Sequence, residues 1–143
     1  MTLETLCIDA GGVIVNPNWR AVAAALVRQG VQAEEEALAR AELTAKHEID
    51  RPETIARTDD RARASLYWDL VASHAGITAP RGLLEAAWAE IDAYHARENL
   101  WDAVIPGVPE ALASLRAQGF RLVVGSNAHG TIRGKMRRRD LER

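Results

Sequence analysis

Cys7 is the only cysteine in the 143 residues, so no disulfide can form within the chain. A lone thiol fits a reducing compartment. No stretch reaches the ~20 consecutive apolar residues of a membrane span. Glu4 puts a charge where a signal peptide would carry its apolar core, and a soluble cytoplasmic protein is expected. Neither sign of charge dominates: the net charge is −2, so no nucleic-acid or membrane partner is expected. Internal repeats and low-complexity linkers are missing as well. The four histidines, His47, His74, His95 and His129, share no metal-ligand spacing and read as solvated or partly packed side chains, with His129 the one able to approach a site entrance. What is present is a globular mix, 48% apolar and 27% charged, in a length that suits one domain of ordinary size.

The chain opens on an apolar strand, Leu6-Cys7-Ile8, that ends in Asp9 and a turn at Ala10-Gly11-Gly12. Within that strand Cys7 is expected to be a buried small apolar residue. Asn16-Pro17-Asn18 reads as a second break, with Asn18 an N-cap candidate for a helix from about Trp19 to Gln29 that Gly30 ends. From Ala33 to Leu100 nearly everything is helical. Ala33 to Ile49 is rich in Ala, Glu and Leu, and Glu34-Glu35-Glu36 suits an acidic first turn. Thr58 or Asp59 is a cap candidate for a helix through Ser73 with an apolar face of Ala64, Tyr67, Trp68 and Val71. Another helix is expected over Arg81 to Glu98, with Leu84, Ala87, Trp88, Ile91 and Tyr94 on one stripe; core packing explains these aromatics. Pro106-Gly107 turns the chain into a short helix from Pro109, using Ala111, Leu112 and Leu115, and Gly119 suits its end. Phe120 to Val124 forms a second apolar strand, ending in Gly125-Ser126-Asn127. Thr131 to Arg143 is a basic helix candidate whose Arg133 to Arg139 run reads as a solvated face.

Strand–helix–strand order argues for an α/β fold with parallel strands. In open parallel sheets, ligands bind beyond the carboxyl ends of the strands. Asp9 and Ser126 stand at two such ends, so the fold would bring them together although they are far apart in the chain. A carboxylate there can act as a covalent nucleophile, dividing one hard displacement into two easier ones. A nearby hydroxyl and open backbone N–H groups can hold the oxygens of a phosphate.

These segments carry a resemblance. Leu6-Cys7-Ile8-Asp9-Ala10-Gly11-Gly12-Val13-Ile14-Val15 resembles motif I of the haloacid-dehalogenase-like (HAD) hydrolases, and Val123-Val124-Gly125-Ser126-Asn127-Ala128 resembles their motif II. Trp101 to Val108, with Ile105-Pro106-Gly107-Val108 and followed by Ala111, Leu112 and Leu115, is similar to the stretch that commonly precedes motif II. A helical insert directly after motif I is where members with a C1-type cap carry it. The resemblance implies an incomplete Rossmann-like core over residues 1–16 and 101–143, with residues 17–100 an inserted all-helical cap.

It further implies that Asp9 is the nucleophile, attacking phosphorus in a phosphatase or carbon in a dehalogenase. The Asp9 carboxylate and the Gly11 carbonyl would contact Mg²⁺ in the phosphatase branch. Ser126 would bond a phosphoryl oxygen, with Gly12 and the Asn127 backbone beside it. A small phosphorylated metabolite is the implied substrate; the sequence carries no signal of oligomeric state. Two departures stand out. Many family phosphatases have a second Asp two residues after the nucleophile, where this chain has Gly11. Halide leaves without a proton, so Gly11 keeps a metal-free haloacid dehalogenase as an alternative. The family's later lysine (motif III) and acidic pair (motif IV) have no counterpart either, since Lys135, Asp140 and Glu142 do not fit those patterns. A truncated reading frame or fragment is therefore expected, and a third reading is a catalytically inactive remnant or helical binding module.

Overall fold

The computed structural model describes residues 4–126. The helix candidate from Thr131, along with Asn127, His129, Lys135, Asp140 and Glu142, lies outside the described residues. The elements run β1 (Thr5–Asp9), β2 (Val15–Pro17), α1 (Trp19–Arg28), α2 (Glu35–Ile49), α3 (Pro52–Arg57), α4 (Asp60–His74), α5 (Arg81–Glu98), β3 (Trp101–Val104), α6 (Val108–Ala117) and β4 (Arg121–Gly125). The fold is α/β, with a parallel strand pair and several helices. The chain divides into two compact units. One takes the described residues up to Asn18 together with those from Tyr94 onward, and the other is Trp19–Ala93.

In the first unit β1 pairs with β4 in parallel, with Thr5 opposite Arg121 and Asp9 opposite Gly125. The Leu6, Ile8 and Leu122 side chains are half-buried, and Ile8 and Leu122 pack on a cluster of Ala10, Ile14, Val15 and Leu112. Leu112 is the one buried residue of α6, which a left-handed Gly107 (φ 83°) introduces and which carries Pro109 in its first turn. Cys7 is exposed, contrary to expectation. Successive strand residues point to opposite faces. Leu6 and Ile8 turn one way, and Cys7 and its partner Val123 turn to a face that the described residues leave open, where Val123 is 41% exposed.

β2 and β3 form an antiparallel pair that periodicity does not reveal, with Val15 opposite Val104 and a register irregularity between Asn16 and Pro17. Strands of three and four residues are too short to display an alternation. The expected break at Asn16-Pro17-Asn18 is therefore partly strand, and Pro17 lies where the ladder is irregular. Asn18 is tied to β3: its N–H donates to the Leu100 carbonyl (2.8 Å) and its side-chain amide to Asp102 Oδ1 (3.0 Å).

The second unit is helical, and its buried residues fall at the expected spacing: Val22 and Leu26 from α1, Leu38, Ala41 and Ala45 from α2, Trp68 and Val71 from α4, and Ala87, Trp88 and Ile91 from α5. Trp68 is its centre. Its ring stacks on Trp88 (centroids 5.7 Å, 26°) and meets Tyr67 and Trp19 edge-on. Such aromatic pairs add stability beyond the area they bury. Asp59, one of the two cap candidates, caps α4 by accepting from the Ala62 N–H at 2.7 Å. Asp59→Ala should lower stability by about 0.5–2 kcal/mol, read as a shift in the denaturation midpoint followed by far-ultraviolet circular dichroism. Asp59→Asn should retain most of it, and equal losses in both variants would exclude the capping role.

Glu42 is buried, accepts from the Tyr67 hydroxyl at 3.1 Å and lies 3.7 Å from Lys46 Nζ. Burial, and then the Glu42 charge and hydrogen bond, push the Tyr67 phenol well above its ordinary value. The folded-state value is raised, so this contribution to stability is complete below the ordinary tyrosine range near pH ~10 and is lost as pH rises beyond it. Tyr67 should therefore ionise only as the helices come apart, and Tyr67→Phe should flatten the loss of stability above that pH. An alkaline titration of phenolate absorbance against helical content checks both. Ionisation well before unfolding would contradict them.

Candidate active site

The parallel register puts the carboxyl ends of β1 and β4 side by side, the position at which open α/β sheets bind ligands. Asp9 closes β1, is exposed, and its Oδ1 accepts from the Ala10 N–H at 2.8 Å. That N–H also reaches the Gly125 carbonyl at 3.2 Å, so one donor links the carboxylate to the end of β4. The turn after Asp9 is built around the Ala10 carbonyl, which accepts from Ile14 (2.9 Å) and Val15 (3.0 Å). Ala10 and Ile14 are fully buried, so the nucleophile candidate stands on the packed core of its unit.

The two glycines of this turn differ in role. Gly12 has φ 75°, a left-handed angle that a side chain would resist. Its N–H donates to the Val15 carbonyl at 2.8 Å, so that donor is spent within the turn. Gly11 makes no backbone hydrogen bond among the described residues, which leaves both its N–H and its carbonyl open. A Cβ built on Gly11 would lie 3.7 Å from Trp101 Cδ1 and 3.8 Å from Trp101 Nε1. Sequence reasoning takes Trp101 only as the start of the stretch before the second motif. Nothing in its local pattern marks it as a neighbour of Gly11, because the two meet through tertiary packing.

Ser126 follows Gly125, the partner of Asp9, and is exposed. A Cβ on Gly125 would meet no described atom within 4 Å, so neither packing nor backbone angle demands glycine there. Asn127, the other expected contact of this segment, lies outside the described residues. The Asp9 carboxylate and the Gly11 carbonyl are oxygen donors of the kind Mg²⁺ takes, and Mg²⁺ commonly fills its remaining positions with water and substrate phosphate. The donor set thus fits in kind. No group of three or more His, Cys, Asp and Glu that could hold a metal occurs among the described residues.

His74 pairs with Glu48 at 3.2 Å, His47 is exposed on α2, and His95 Nδ1 accepts from the Leu100 N–H at 3.0 Å. No helix among the described residues is long and apolar enough to cross a membrane.

No family model matches the chain, and no curated protein matches it. Among solved structures it is similar to that of a predicted phosphoglycolate phosphatase from Haemophilus somnus 129PT, at 20% identity with a TM-score of 0.46. The match covers 96% of this chain and 58% of that one, so the chain spans less than two thirds of that protein's length. The geometry itself is that of an α/β chain whose parallel strands end together at Asp9 and at the Gly125-Ser126 step.

Proposed function

We propose that this chain carries the nucleophile half of a HAD-like phosphatase site acting on a small phosphorylated metabolite. The observation that carries the reading is the register of Asp9 opposite Gly125, which puts a carboxylate and, one residue past β4, a serine at the same end of two parallel strands. Residues 1–16 and 101–143 then belong to the core of such an enzyme and residues 17–100 to its cap. Oδ1 of Asp9 is held by the Ala10 N–H, and Oδ2 has no hydrogen bond among the described residues. Oδ2 attacks phosphorus, the bond from phosphorus to the leaving alcohol breaks, and the alkoxide takes its proton from water, since Gly11 has no acid to offer. A second water then attacks phosphorus of the aspartyl phosphate, releasing phosphate and restoring Asp9. The Ser126 hydroxyl and the open Gly11 N–H are donors for the phosphoryl oxygens. Mg²⁺, held through Asp9 and the Gly11 carbonyl, would offset the negative charge that gathers there.

The test is phosphate release from p-nitrophenyl phosphate by the full chain. Turnover that needs Mg²⁺ and stops on chelation is expected. Gly11 favours a second reading, a dehalogenase, because halide departs without a proton; metal-independent halide release from a 2-haloacid would establish that reading and overturn the first. Activity in neither assay would leave the chain as an inactive remnant or helical binding module.

A further inference from the structure

Beside the turn that follows Asp9 stands a side chain with no part in the reading above. The edge of the Trp101 indole that carries its N–H lies against the Gly11 backbone, with Cδ1 3.7 Å and Nε1 3.8 Å from where a Cβ would be. Trp101 is half-buried and packs on the Ala10–Ile14 cluster, so part of the ring is rooted in the core while part remains accessible. Its Nε1–H donates to no described residue and is not among the buried atoms without a partner.

The ring has a second neighbour. His95 meets it edge-on, with centroids 5.6 Å apart and planes at 76°, and His95 is itself oriented by the Leu100 N–H on Nδ1 (3.0 Å). Asn99, 2% exposed, accepts the Trp101 backbone N–H on its Oδ1 at 3.1 Å. Asn99 is also the one non-glycine residue with positive φ (59°) among those described. Residues held in that region are uncommon and persist where the surroundings over-determine them. Here three interactions converge on the end of α5 and fix the backbone from which Trp101 projects.

We propose that Trp101 is a substrate-contacting residue of the Asp9 site. Its indole fills the space a longer side chain at position 11 would take, and its N–H is a further donor to an oxygen of the phosphoryl substrate. The proposal rests on the phosphatase reading of Asp9. It selects against substrates whose leaving group carries bulk on the Gly11 side, because that volume is occupied by a ring pinned at two points.

The experiment uses the full chain with Mg²⁺ and inorganic phosphate as the probe, following calorimetry and intrinsic fluorescence together. Three of the four tryptophans, Trp19, Trp68 and Trp88, belong to the helical unit, so a change that vanishes on one substitution is attributable to Trp101. The expected result is phosphate binding with a change in emission. Trp101→Phe keeps an aromatic ring and drops the N–H; it should lose the emission change and bind phosphate about 2- to 10-fold more weakly, the effect of one hydrogen bond. Wild-type affinity in Trp101→Phe, or saturation of the wild type with unchanged emission, would overturn the proposal. A chain that binds no phosphate at all would instead overturn the reading of Asp9, and the proposal with it. Should Trp101→Phe fold poorly, Gly11→Leu tests the same geometry, since a branched side chain there should press on the indole and shift the emission of the ligand-free protein. No shift would mean that the indole does not line this site.

Discussion

Asp9→Asn is expected to reduce phosphate release by about 10⁴-fold or more, a loss of roughly 5 kcal/mol of transition-state stabilisation. The size follows from the role proposed for Asp9. A nucleophile that forms a covalent intermediate cannot be replaced by stronger binding elsewhere, and an amide oxygen is too weakly nucleophilic to attack phosphorus. The substitution keeps shape and volume, and the amide oxygen can still accept the Ala10 N–H that Oδ1 accepts at 2.8 Å. Because Asp9 is exposed at the end of β1, stability should change by no more than about 0.5 kcal/mol. Steady-state phosphate release together with a denaturation midpoint checks both halves. An Asp9→Asn variant that turns over at the wild-type rate would remove Asp9 from the chemistry, whereas one that fails to fold would mean that the carboxylate is structural. Ser126→Ala should cost less, about 10²- to 10³-fold, because it removes one donor among several.

Trp68→Ala is expected to be the most destabilising single change in the helical unit, at about 3–5 kcal/mol. Trp68 is 8% exposed and makes ring contacts with Trp19, Tyr67 and Trp88, so truncation removes three aromatic contacts and leaves a void where they met. Small domains hold only about 5–15 kcal/mol in total, so most of the margin would go. Trp68→Phe should cost noticeably less, since a smaller ring still fills part of the space. Denaturation curves of the two variants, with near-ultraviolet circular dichroism as the probe of ring packing, give the comparison. A loss below about 1 kcal/mol for Trp68→Ala would mean that the ring is not central to the core.

Much of this was legible in the sequence because it is local. The apolar positions of α4 and α5 recur at helical spacing, and Val71, Ala87, Trp88 and Ile91 are buried as that spacing requires. The expected helix over Arg81 to Glu98 matches α5, and Asp59 caps α4 as one of the two residues placed to do so. Both chemistry-bearing strands end where the pattern of apolar residues followed by glycine said they would, at Asp9 and Gly125. The parallel order followed from the helices between them, since strands so connected return in the same direction.

Other features came only from packing. β2 and β3 are stabilised by each other, so neither short segment signals a strand alone. Cys7 looked buried because its neighbours are apolar, but which face of β1 is covered depends on where α6 lies. The partner of Gly11 is likewise a residue from the far side of the helical insert, and the spent N–H of Gly12 depends on how the turn closes on Val15. By itself the sequence determined the longer helices and the ends of β1 and β4, because propensity, periodicity and turn residues act over a few positions. The tertiary structure alone decided which face of β1 is open, which backbone groups of the turn remain available and which side chain borders Gly11. Those depend on contacts between residues that local rules do not relate.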